Sequence, residues 1–214
     1  MGNYAVFGLG VFGMTLATEL SAAGNKVVAV DKSRDRINEI KDKVAEAIVA
    51  DVSNPDVVKE LDVKKFDAII IGMSNHFEDM ILTLALVKQE GAGRVIVKSQ
   101  LALQRRILLR LGADEIIQPD QDVAERLSRR LTMSNISDIF EFKGSSIAEV
   151  KVPASMAGKS IRQLDLRNRS SITVLLLKKP GSKVETIWNP DVVLEEGDQL
   201  TVIGSEQKIM SVFK

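Results

Sequence analysis

Cysteine is absent from the 214 residues, which excludes disulfides, thiolate catalysis and cysteine-held zinc. Tyrosine, histidine and tryptophan occur once each. Acid/base chemistry built on a tyrosine–lysine pair, or a serine–histidine–acid relay, therefore has few places to reside. An excess of one charge is lacking too, since Lys plus Arg and Asp plus Glu both number 29. Proteins that bind nucleic acid displace counterions with clustered cations, and this balance argues against such a partner. No apolar run approaches the ~20 residues that span a bilayer. The opening MGNYAVFGLG carries no basic leader ahead of an apolar stretch. The expectation is a cytoplasmic protein that reaches a membrane only by docking on something already there.

What is present is a folding composition, 45% hydrophobic and 27% charged, too apolar for a disordered chain. Six short apolar runs alternate with segments of helical spacing: Tyr4–Gly8, Lys26–Asp31, Glu46–Ala50, Asp67–Gly72, Arg94–Lys98 and Glu115–Gln118. They are rich in Val and Ile with little alternation, as parallel strands covered on both faces require. Between them lie Val11–Ala23, Ser33–Lys41, Pro55–Leu61, Phe77–Glu90 and Gln100–Leu111, with Gly24, Gly91 and Gly112 just past three of these helices. The pattern predicts an α/β fold, a Rossmann-like doubly wound parallel sheet over residues 1–132. The helix Phe77–Val87 is apolar nearly all round, which fits either a dimer contact or deep burial.

After Leu131 the pattern changes. Met133–Phe142 reads as a short amphipathic helix, with Ile136, Ile139 and Phe140 on one side, and 133–144 as a crossover helix and linker. Residues 145–214 read as short strands (Ile147–Val152, Ile172–Lys178, Val184–Trp188, Gln199–Ile203) separated by Gly- and Pro-bearing turns. About seventy residues bury little core alone, so a small α+β domain that dimerises is expected.

Gly8-Leu9-Gly10-Val11-Phe12-Gly13 stands between the first strand and first helix. The first glycine permits a tight turn, the second lets backbone approach phosphates, and the third lets helix and strand pack closely. The helix start then offers N–H groups and a partial positive charge to an anion. Asp31, ending the second strand, is placed to accept the hydroxyls of an adenosine ribose and to repel a 2′-phosphate. Further candidates end the other strands on the same edge: Lys32, Asp51 and Val52, Ser74 and Asn75, and Lys98. Ser53, Ser74 and Ser99 could equally be helix caps, and Lys98 a lysine that snorkels to solvent. The single Tyr4 begins a strand, and the single His76 reads as a polar or surface residue rather than a general acid. The chain reads as a binder. The competing reading is an NAD(H)-dependent oxidoreductase with a small accessory domain, and a third is a nucleotide-binding module for an unrelated partner.

Taken together, the glycine motif, Val28-Ala29-Val30-Asp31, Val97-Lys98-Ser99-Gln100 and Gly112-Ala113-Asp114-Glu115-Ile116-Ile117-Gln118-Pro119-Asp120 resemble the KTN/RCK regulators of potassium channels and transporters. Met156–Leu166 and the Glu196-Gly197-Asp198 stretch resemble their C-terminal (TrkA-C) domain. The resemblance covers the whole chain, with residues 1–132 as the RCK-N domain and 145–214 as RCK-C. It implies a cytosolic, nucleotide-binding gating subunit of a Trk/Ktr-type uptake system, a homo-oligomer of dimers forming an eight-membered ring. Such a ring sits on the inner face of the membrane through a potassium-translocating subunit, and Met133–Phe142 would cross to a neighbour. ATP, ADP, NAD or NADH would occupy the pocket. The arginine that the family places directly after the second glycine is Val11 here, which removes that route to sensing a γ-phosphate. The resemblance also makes Asp120 a candidate ligand for a divalent cation. The residues alone read Asp120 equally well as a first-turn acid of the next helix.

Overall fold

The computed structural model describes residues 1–73, 77–132, 135–142 and 144–213. These fall into two units, Met1–Gln121 and Asp122–Lys214.

In the first unit, strands and helices alternate: β1 (Asn3–Phe7), α1 (Val11–Ala22), β2 (Lys26–Asp31), α2 (Arg34–Ile40), β3 (Glu46–Val49), α3 (Pro55–Glu60), β4 (Ala68–Ile71), α4 (Phe77–Gln89), β5 (Val95–Lys98), α5 (Ala102–Arg110) and β6 (Glu115–Ile117). The six strands form one parallel sheet in the order β3-β2-β1-β4-β5-β6. The chain starts in the middle and winds outward both ways, so strand order reverses between β1 and β4. Because strand side chains alternate in direction, each strand feeds two cores. Phe7, Val30, Ile71 and Val97 join one with α3, α4 and Leu108 of α5, while Val6, Ala29 and Ile70 join another with Ala17, Ile37 and Ile40. Burial on both faces explains the unbroken Val/Ile runs. Helix α4 uses most of its apolar surface inside its own unit: Met80, Leu84 and Val87 are buried, and Leu82 remains exposed.

Helix α6 (Pro119–Thr132) leads on to β7 (Ile136–Phe142), β8 (Ser145–Lys151), α7 (Ile161–Leu164), α8 (Leu166–Ser170), β9 (Thr173–Lys178), β10 (Glu185–Thr186), β11 (Gln199–Gly204) and α9 (Glu206–Val212). The second sheet is antiparallel, in the order β10-β9-β11-β8-β7. Burial alternates along β11, where Leu200 and Val202 point inward among Ile172, Leu194, Ile209 and Phe213. A one-faced core of this kind is the antiparallel counterpart of the first unit's two.

The expected helix over Met133–Phe142, and with it the crossover helix of 133–144, is corrected by the structure. Residues 136–142 are a strand paired with β8. Ile136 lies opposite Val150 and Asp138 opposite Glu149, so β7 carries one extra residue there. This bulge lets Ile136 and Ile139, three apart, both reach the core. In a regular strand they would face opposite sides. A spacing of three imitates a helix stripe, which is why periodicity misread the segment.

Candidate functional site

All six strands of the first sheet end at one edge, and a cavity of about 830 Å3 lies there. It is lined by Gly8, Gly10, Val11, Phe12, Asp31, Lys32, Val52, Lys98 and Asp120 among the residues singled out in the sequence. Gly72, Met73, Ser33, Arg36 and Asp79 line it as well.

The turn from β1 into α1 explains its glycines. Gly8 has φ +91, and a Cβ there would lie 2.8 Å from the backbone nitrogen of Met73, so both conformation and space demand glycine. A Cβ on Gly13 would run into the carbonyl oxygen of Gly8. Around Gly10 a Cβ would meet no atom within 4 Å, because the space beyond it is the cavity. Gly10 also opens α1 with no side-chain cap, leaving first-turn N–H groups for an incoming anion. Val11, the next residue, is 90% exposed and lines the same space. These features fit a phosphate-bearing ligand.

Asp31 is 8% exposed. Its Oδ2 accepts the Leu9 N–H at 2.6 Å and a hydrogen bond from the Arg36 guanidinium at 3.3 Å, and its Oδ1 accepts the Ser33 N–H at 2.8 Å. The carboxylate thus ties the glycine loop to β2 and retains one lone-pair direction on Oδ1. Lys32 bridges two other segments, donating to Asp79 at 2.9 Å and pairing with Asp51 at 3.0 Å. Hydrogen bonding to Asp79, then to Asp51, holds the Lys32 ammonium above its ordinary pKa. Partial burial pushes the Asp51 carboxyl up, but hydrogen bonds from Ser53 and Lys32 outweigh it and leave Asp51 below the usual range. Ser53 therefore serves Asp51, and the cap of α3 is Asn54.

On the other side of the switch point, the Lys98 ammonium lies 5.7 Å from the centre of the Phe12 ring and 3.4 Å from the Asp120 carboxylate. Its side chain is 12% exposed, so it does not snorkel to solvent. Asp120 is in the first turn of α6. Among the described residues, no group of three acidic, His or Cys side chains is arranged to hold a metal. Ser74, Asn75 and His76 lie outside the described residues.

Sequence reading missed Arg36 and Asp79. Arg36 had a local signal, since a helix capped at Ser33 turns it back toward the end of β2. Asp79 had none, because its partner Lys32 is 47 residues away.

The TrkA-N domain family matches residues 4–119, and the TrkA-C domain family matches residues 147–214. The chain belongs to the TrkA-N/TrkA-C family. It is 31% identical to the Ktr system potassium uptake protein A of Vibrio alginolyticus, over 99% of this chain and 96% of that one. Identity to the Ktr system potassium uptake protein C of Bacillus subtilis is 30%, over 95% and 92% of the two chains. In fold, the chain is similar to the GsuK channel, with a TM-score of 0.70 at 20% identity. The match covers 99% of this chain but 38% of that channel chain, so the chain spans well under half of the channel's length. No described helix is long and apolar enough to cross a membrane.

Proposed function

We propose that the chain is a regulatory subunit of a potassium-uptake system, and that an adenine nucleotide in the cavity changes the shape of a homo-oligomer docked beneath a potassium-translocating membrane protein. The observation that carries this reading is the cavity at the strand-order reversal. It has a glycine loop on its floor, an uncapped helix start facing it and Asp31 at its rim. Family membership and near full-length likeness to two potassium uptake proteins supply the transport role. The mechanism asks only that the nucleotide bind two ring shapes with different affinity, with ~1–3 kcal/mol of coupling per site summed around the oligomer.

The test is calorimetric titration of the purified chain with ATP, ADP, NAD and NADH, with its mass measured by light scattering in the same buffer. Micromolar or tighter binding by an oligomer supports the reading, and an Asp31→Ala variant should lose ~1.5–3 kcal/mol of affinity. Unchanged affinity in that variant removes the ribose role of Asp31. A nicotinamide absorbance change that depended on added substrate would instead favour the oxidoreductase reading.

A further inference from the structure

Lys32 directly follows Asp31, and the two side chains fasten different parts of the cavity wall. Asp31 accepts the Leu9 N–H of the glycine loop. The Lys32 ammonium lies 3.0 Å from Asp51, just past β3, and 2.9 Å from Asp79 in the first turn of α4. Two neighbouring residues thus join the ends of β1, β2 and β3 to the start of α4.

Lys32 lines the cavity, so two roles compete for it. As a phosphate ligand it would turn its ammonium toward the tail of a nucleotide. As a tie it would hold the wall and leave the tail alone. The geometry favours the tie. An ammonium has three N–H donors, and this one already faces two carboxylates on separate segments at hydrogen-bonding distance. A phosphate would have to displace it from both. Asp51 is itself anchored, since its Oδ1 accepts the backbone N–H and the hydroxyl of Ser53. Asp79 stands where α4 is most easily moved, because helix ends fray. From there on, Met80, Leu84 and Val87 hold the inner face of α4 in the core beside Phe7 and Ile71, while Leu82 faces outward.

Resting on the nucleotide reading above, we propose that Lys32 is a positioning residue: by holding Asp51 and Asp79 it carries occupancy of the Asp31 edge to the first turn of α4. A ribose on Asp31 restrains the end of β2. Lys32, one peptide bond on, passes that restraint to α4, so binding in the cavity orders the outer surface of the unit beyond the residues that touch the ligand. The Lys32 side chain is 51% exposed, so its replacement removes the tie without opening the core.

The experiment compares ADP with adenosine, which has no phosphate, on the full chain. Calorimetry reads ADP and ligand-observed NMR reads adenosine. Lys32→Met should weaken both by the same factor, about threefold. The chain has no cysteine, so Glu78→Cys, at an exposed position in the first turn of α4, takes a single nitroxide label. Saturating ADP should broaden the spectrum of that label in the otherwise unaltered chain and leave it unchanged in Lys32→Met. Asp79→Asn cuts only the α4 side of the tie and should abolish the broadening with a smaller loss of affinity. Lys32→Arg keeps a cation between the two acids and should restore both readouts. The proposal is overturned if Lys32→Met weakens ADP but not adenosine, which would make Lys32 a phosphate ligand. It also falls if ADP broadens the spectrum equally with and without Lys32. In both cases nucleotide binding itself survives. Failure of the unaltered chain to bind either ADP or adenosine would overturn the nucleotide reading and this proposal together.

Discussion

The two units treat a buried carboxylate in opposite ways. Asp31 is surrounded by donors, with two backbone N–H groups and a guanidinium on its oxygens, and it opens onto a cavity. Asp198, fully buried at the start of β11, accepts one N–H from Glu195, and its Oδ1 has no hydrogen-bond partner among the described residues. The difference follows from the sheets. Parallel strands all end at one edge, so loops distant in sequence converge there and satisfy one another's polar groups. The antiparallel sheet sends successive strand ends to opposite edges, and Asp198 closes only its own turn, through Glu195. One architecture gathers a site. The other builds a one-faced core.

Six substitutions test that contrast. The largest effect belongs to Gly13→Val, which drives a branched side chain into the Gly8 carbonyl. It should cost more than about 4 kcal/mol and unfold the first unit, leaving a protease-resistant fragment from the second on a thermal ramp. Unfolding of both units in one step would show that they are energetically coupled. Leu200→Ala is the converse, removing a fully buried side chain from the second core. A loss of about 2–5 kcal/mol is expected there, with the first unit's nucleotide affinity unchanged.

Next comes the same change at the two buried acids. Asp31→Asn replaces a charged acceptor held by three donors and should cost about 1–3 kcal/mol in denaturant unfolding. Asp198→Asn removes a buried charge with one empty acceptor, and its stability should stay level or rise by up to about 1 kcal/mol. Equal losses at both positions would break the comparison.

The smallest effects come from ion pairs. Asp114 accepts from Lys88 at 2.6 Å and also from the Val95 N–H. Hydrogen bonding to Lys88 leads the causes that hold its carboxyl below the ordinary 3.8. A lowered folded pKa stabilises above the unfolded value and is lost as pH falls through the folded one. The contribution of Asp114 should therefore begin to fade only as pH drops below about 4 and be lost as it falls through the lowered folded value, and Asp114→Asn should cost roughly 0.5–1 kcal/mol at neutral pH. In the second unit, Arg162 and Asp191 pair on the open surface, and Asp191→Asn should leave the unfolding midpoint where it was.

The first unit was legible in the sequence because double burial writes itself as continuous Val/Ile runs, and because the glycine turn is local. Val28–Asp31, Ala68–Ile71 and Gly8–Gly13 stand close to where their patterns placed them. Contacts between distant segments were not legible. The Lys32–Asp79 bond has no local signature, and the Lys98–Asp120 pair depends on how α6 follows β6. In the second unit the bulge in β7 defeated periodicity by giving a strand the spacing of a helix.

The bare start of α1 has a kinetic consequence. Amide protons in a first turn without a capping acceptor exchange with solvent almost as freely as those of a loop. Val11 and Phe12 should therefore lose their protons quickly when the cavity holds only water, and slowly once an anion takes the cap position. Deuterium uptake at that single turn would then read ligand occupancy directly.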